Sequence, residues 1–157
     1  MARRHKSLIP LSRQHNHALI LSLLIRRRDG IEAGDAKWLE STAARVRRAY
    51  DAELAGHFEV EESVLFPDMD RYLGRLKLIE KLREEHQLLR GLVRDIQSAP
   101  AFGICDDFSA TLVAHVRKEE RQLFAEFEKR MPPEEALKLG REIETRLMKA
   151  CPRDFVG

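Results

Sequence analysis

Cysteine is scarce in this chain: only Cys105 and Cys151 occur, far apart and outside any CxxC pattern. That spacing offers no disulfide framework, and the pair reads as reduced thiols of a cytoplasmic protein. Long apolar runs are missing too. The stretch from Ala18 to Ile25 is far short of the roughly 20 residues a membrane-spanning helix needs, and Arg26, Arg27 and Arg28 end it. No small-residue cleavage site follows, so neither a signal peptide nor a membrane segment is expected. Charge of one sign is not concentrated. The net charge is +2 and the basic groups are scattered, which excludes a nucleic-acid footprint. The three arginines fall at the end of an expected helix, where they complement its dipole. Strand signals are nearly absent, since no sustained alternation occurs and Asp29-Gly30 lies between helical patterns. No fixed-period repeat and no low-complexity linker divides the chain.

Helical periodicity is plentiful. At 157 residues the chain suits one domain that buries its own core. Helix starts and stops predict a first helix from near Ser12 to Asp29-Gly30 and a second from after Gly34-Asp35 to about Pro67. A third covers about Leu76 to Gln97, and a fourth about Asp106 to Arg130. A shorter fifth follows from Pro133, a natural first-turn residue, to about Ala150. Short connections between four main helices imply an all-α, antiparallel up-down four-helix bundle over about residues 10–131. The short extra helix, about 133–150, completes a single domain of residues 1–157.

Every expected inward seam is interrupted by polar groups of one kind. The third helix gives Ile79, Leu82, His86, Leu89, Val93 and Ile96 at intervals of three and four. The fourth gives Phe108, Leu112, His115, Glu119 and Leu123. The second gives Val46, Tyr50, Glu53 or Leu54, His57, Glu61 and Val64. The first gives Leu11, His15, Leu19, and Ser22 or Leu23. One histidine on an apolar face is ordinarily a hydrogen-bonded core residue. If an inward stripe covers about three-sevenths of a helix, four histidines on four helices all face inward by chance in only about 3% of cases. Glu61 and Glu119 share that register, one turn after His57 and His115. Buried carboxylates are costly unless paired or metal-bound, so a cation is the economical explanation.

The spacing has a geometric reason, because residues four apart lie on one helix face a turn along. A His-x-x-x-Glu pair therefore presents one nitrogen and one or two oxygens to a small volume. Mixed imidazole and carboxylate ligation suits iron, manganese or zinc, and the lack of thiolates disfavours cuprous ions and iron–sulfur clusters. The ferritin-type Glu-x-x-His pattern fails, since Leu54, Arg83 and Leu112 stand three residues before the histidines. The His-Glu-x-x-His protease motif is also missing.

The run His57-Phe58-Glu59-Val60-Glu61-Glu62-Ser63-Val64-Leu65-Phe66-Pro67 resembles the H-x-x-x-E-E-x-x-L-F-P signature of hemerythrin-like, or HHE cation-binding, domains. His115 to Phe124 resembles its second copy, with Ala125 in place of the usual proline. Glu85-His86-Gln87-Leu88-Leu89 resembles the third-helix motif, and Leu11 to Leu19 the opening helix. The resemblance spans about residues 10 to 130. It implies two non-haem irons with an oxo or hydroxo bridge, His15 and His57 on one, His86 and His115 on the other, and Glu61 and Glu119 bridging. Oxygen-carrying hemerythrins have two third-helix histidines four residues apart, whereas Leu82 and Arg90 flank His86 here. One imidazole fewer argues against reversible oxygen transport and suggests an open position.

Glu53, Glu62 and Glu120 are candidates to fill that gap. His17 is an alternative to His15, Tyr50 is core packing or a donor behind the ligands, and His5 is a surface residue. The expected function is a cytoplasmic metal-binding protein whose di-iron centre meets a small diatomic ligand or peroxide, in sensing, scavenging or iron handling. A di-iron oxidase or peroxidase, and a metal-stabilised interaction module with zinc or manganese possible in place of iron, are the alternatives.

Overall fold

The computed structural model describes residues 3–151, and the outermost residues of the expected single domain lie outside that range. A 3-10 turn, Lys6–Leu8, leads into helix α1, Ile9–Arg26. Helix α2 runs unbroken over 36–73, α3 is Lys77–Ser98, α4 covers 102–130, and α5 is Pro133–Ala150. There is no strand among the described residues. No described helix is long and apolar enough to cross a membrane.

Four starts and stops differ from expectation, one being that helix α1 ends at Arg26 rather than at Asp29-Gly30. Helix α1 opens at Ile9 with Pro10 in its first turn, where a missing N–H costs nothing. Ser12 is therefore no cap, and its hydroxyl donates to Glu120 at 2.8 Å. Helix α2 passes Pro67 and ends only at Gly74, whose φ of 80° suits a residue without Cβ. The π turn Glu61–Leu65 lies just ahead of Pro67. It widens the backbone where proline would remove an i→i−4 bond and crowd a carbonyl. Helix α4 starts at Phe102 rather than Asp106. Arg28, expected to serve the α1 dipole, lies beyond its end, pairs with Asp106 and stacks over Phe102 at 4.5 Å.

Side-chain bonds establish the packing directions. Ser109 donates to the Ser22 carbonyl and Ser12 to Glu120, so α1 and α4 run antiparallel. Gln97 donates to the Ala43 carbonyl while His86 meets Glu62, which sets α3 antiparallel to α2. His57 meets Gln14 and His17 meets Glu53, which sets α1 antiparallel to α2.

The core is split into two apolar clusters. One includes Leu8, Leu11, Leu65, Phe66, Leu123 and Phe127, and α5 adds Leu139, Ile143 and Leu147 to it. The other includes Ala18, Ile25, Val46, Phe58, Leu89 and Phe108. Between them lie the buried polar residues of four helices. Leu23 is exposed, so Ser22 is the α1 residue that faces inward at that turn. Tyr50 packs against the second cluster, and both cysteines are free.

Candidate metal centre

His15, His57, His86 and His115 are all 3% exposed or less, and Glu61 and Glu119 are fully buried. The structure brings these six together, each on the helix expected to carry it. They form two groups of possible ligands: His15, His57, Glu61 and Glu119; and His86, His115, Glu61 and Glu119. In each, one ligand atom per residue lies within 4.8 Å of the others. The Nε2 atoms of His15 and His57 are 3.1 Å apart, as are those of His86 and His115. Both carboxylates stand between the two imidazole pairs. Glu61 Oε1 is 3.3 Å from His57 Nε2 and 3.2 Å from His86 Nε2. Glu119 is 3.1 Å from His15 Nε2 and 2.5 Å from His115 Nε2.

Local backbone geometry helps to aim the carboxylates. Glu61 and Glu119 each open a π turn, and their carbonyls accept from Phe66 and Phe124, five residues on. A third such turn, Tyr50–Leu54, precedes His57 on α2. Turns of this kind inside α-helices are frequent at functional sites. Hydrophobic periodicity gives no sign of them.

All four Oε atoms of Glu61 and Glu119 are buried without a hydrogen-bond partner, although imidazole nitrogens surround them. A carboxylate so placed requires a compensating cation or a proton. Burial and the adjacent Glu119 charge push the Glu61 carboxyl well above the ordinary range. Burial opposes ionisation of Glu119 as well, but His115, Glu61 and His15 outweigh it and hold that carboxyl well below. Burial and the His15 charge keep His57 well below 6.5. Two carboxylates competing for protons among four inward nitrogens form a donor set that fits divalent cations.

The outer nitrogens are also held. His15 Nδ1 meets Glu120 at 2.8 Å, His86 Nδ1 meets Glu62 at 2.6 Å, and His115 Nδ1 meets Glu85 at 2.9 Å. His57 Nδ1 donates to Gln14 Oε1 at 2.7 Å. Nδ1–H donation fixes the tautomer that leaves each Nε2 lone pair facing inward. Arg90 clamps Glu62 through both oxygens. Burial alone would raise the Glu62 pKa, but His86 and Arg90 bring it to about 2. Phe58 stacks on His86 at 4.2 Å and Phe124 on His15 at 5.5 Å, which walls the layer with apolar surface.

None of the three candidates for the third-helix gap is in either group. Glu62 and Glu120 hold outer nitrogens, and Glu53 is buried but turned to His17, 2.9 Å away. His17 is exposed, so His15 is the inward histidine of α1. His5 does not reach the layer; its ring accepts from Ser7 N–H and packs against Phe127. Leu82 belongs to the apolar core. Gln14 and Glu85, which hold the outer nitrogens of His57 and His115, are not among the expected site residues. Their signal was available: each immediately precedes a seam histidine.

Residues 10–127 match the family described as Hemerythrin HHE cation binding domain. Among curated proteins, an uncharacterised hemerythrin-like protein of Schizosaccharomyces pombe (strain 972) is 32% identical over 110 residues. That alignment covers 66% of this chain and 54% of the relative, so the chain spans about half the relative's length. No solved structure matches.

Proposed function

Because the chain belongs to the hemerythrin HHE cation-binding domain family, we propose that its buried layer holds two non-haem irons and meets dioxygen, peroxide or nitric oxide. The observation that carries this reading is the pair of four-residue groups sharing Glu61 and Glu119, whose oxygens have no other partner. In such a layer His15 and His57 would hold one ion, His86 and His115 the other, and the two glutamates both. Iron so bound would supply redox chemistry and small-ligand binding that no side chain here possesses. The chain's own part is to fix four tautomers from behind, exclude bulk water with Phe58 and Phe124, and offer only four donors to each ion. Leu82, packed in the apolar core, supplies no further imidazole, so no third nitrogen reaches either ion from α3. Sensing, scavenging or iron handling in the cytoplasm would all use such a centre.

A second reading is favoured by the same donor count. Two nitrogens and two oxygens satisfy tetrahedral zinc, and a cation there would mainly stabilise the bundle for a protein partner. Elemental analysis of anaerobically purified, untagged protein separates the two. About two irons per chain, with a near-ultraviolet band appearing in air, supports the iron reading. Zinc, or a single metal, overturns it. Steady turnover of peroxide by the iron form would move the assignment from binding to an oxidase or peroxidase.

A further inference from the structure

The four imidazoles are not backed alike. The layer has an internal correspondence: His57, Glu61 and Glu62 of α2 match His115, Glu119 and Glu120 of α4, while Gln14-His15 of α1 matches Glu85-His86 of α3. Glu62 behind His86 thus corresponds to Glu120 behind His15, carboxylate for carboxylate. Glu85 behind His115 corresponds to Gln14 behind His57, and here a neutral amide stands where its counterpart is a carboxylate. The Gln14 amide is oriented from both ends. Its Oε1 accepts from His57, and its Nε2 donates to Cys151 Sγ at 3.4 Å. The Cys151 thiol donates in turn to the Glu53 carbonyl.

A carboxylate that accepts an imidazole N–H raises the electron density at the opposite nitrogen and makes it a better metal donor. A neutral amide does so much less. Lys118 and Arg90 pair with Glu85 and Glu62, as Arg4 does with Glu120. Every carboxylate behind a histidine therefore has a cationic neighbour, which leaves the amide as the difference between the halves.

We propose that the two metal positions are unequal, with His86 and His115 forming the tighter, first-filled position and His15 and His57 the exchangeable one. Gln14 is the positioning residue that sets the difference. This rests on the two-metal reading above. Changes in such outer partners typically alter metal affinity by about 10- to 100-fold, and the two positions should differ by at least about tenfold.

The test is crystallographic occupancy at the iron absorption edge, using full-length protein given one equivalent of ferrous iron alone without oxygen. Iron should lie on His86 and His115, with little on His15 and His57. In Gln14→Glu the two occupancies should approach equality, and in Glu85→Gln iron should move toward His15 and His57. Both variants should shift iron the same way. In Gln14→Glu that shift would not follow from loss of packing, which would weaken the His15–His57 position instead, and unchanged helicity would show that both fold. Equal occupancy in the parent protein, or a ratio that neither variant moves, would overturn the proposal. Saturating iron that fills one position only would instead overturn the two-metal reading, and the inference with it.

Discussion

Glu61 and Glu62 are adjacent and chemically identical, yet one lies in the centre of the layer and the other behind it. Glu61 is four residues from His57 and shares its face, so its oxygens stand against imidazole nitrogens. Glu62 is rotated onward by one residue and reaches across to α3, where His86 and Arg90 hold it. Glu119 and Glu120 divide in the same way between the centre and His15 of α1. Under the proposed ligand set, His57→Ala and His115→Ala should each lose at least one metal per chain, while His5→Ala should lose none. Full metal content in both site variants would show the ligand set to be wrong. Protonation gives a second check at this scale. Burial works against the charged form of His115, but Glu119 and Glu85 outweigh it and raise its pKa to about 9. A histidine raised above its unfolded value of about 6.5 stabilises the fold fully below that value and loses the contribution as pH rises through about 9. Metal-free protein should therefore have a lower urea midpoint at pH 9 than at pH 6.5, and His115→Gln should shrink the drop. An undiminished drop in that variant would assign it elsewhere.

Among the elements, α5 departs from the four that carry the layer. It lies outside the matched residues, yet it packs against α2 and the N-terminal turn. Gly140 permits the contact with that turn. A Cβ there would stand 2.2 Å from Ser7 Oγ and 2.9 Å from Ser7 Cα, so backbone would have to shift. Gly140→Ala should destabilise by about 1–3 kcal/mol, the usual cost of overpacking. At Gly103 a Cβ meets nothing within 4 Å, and the same substitution should stabilise by about half a kcal/mol through the unfolded chain. Thermal melts of the two variants should shift in opposite directions, and a common sign would contradict the packing described. Gly56 makes a comparable approach at α2, where its Cβ would lie 2.9 Å from Cys151 Sγ. The end of α5 thereby lies against the residue before His57.

For the whole molecule, the buried layer divides the apolar core in two, and charge inside that layer is favourable only when compensated. Removing a bound cation should leave the two carboxylates and four imidazoles to share protons, at a cost to the native state. A chelated sample should melt lower than a loaded one. At free metal about 100 times its Kd, each site contributes about 2.7 kcal/mol, and each kcal/mol is worth about 2–4 °C for a domain of this size. Equal melting temperatures with and without chelator would show that the layer does not bind metal.

Much of this was legible in one dimension. Helix α5 begins and ends where Pro133 and Ala150 were expected, and the seam from Ile79 to Ile96 is buried at every position. Periodicity alone determines such things, because each is a local consequence of 3.6 residues per turn. The His-x-x-x-Glu spacing likewise places an imidazole and a carboxylate on one face without reference to any other helix. What lay outside that reach depends on neighbours or on departures from the regular turn. The π turns at Glu61 and Glu119 shift the backbone register, and with the first of them α2 continues through Pro67. Which carboxylate stands behind which histidine follows from the antiparallel arrangement of α1 with α4 and α2 with α3. The sequence thus determined which residues meet in the buried layer and which face of each helix bears them. Only the tertiary structure decided that Glu53, Glu62 and Glu120 turn away from the centre, because hydrogen-bond partners on adjacent helices hold them, and no local periodicity encodes such a partner.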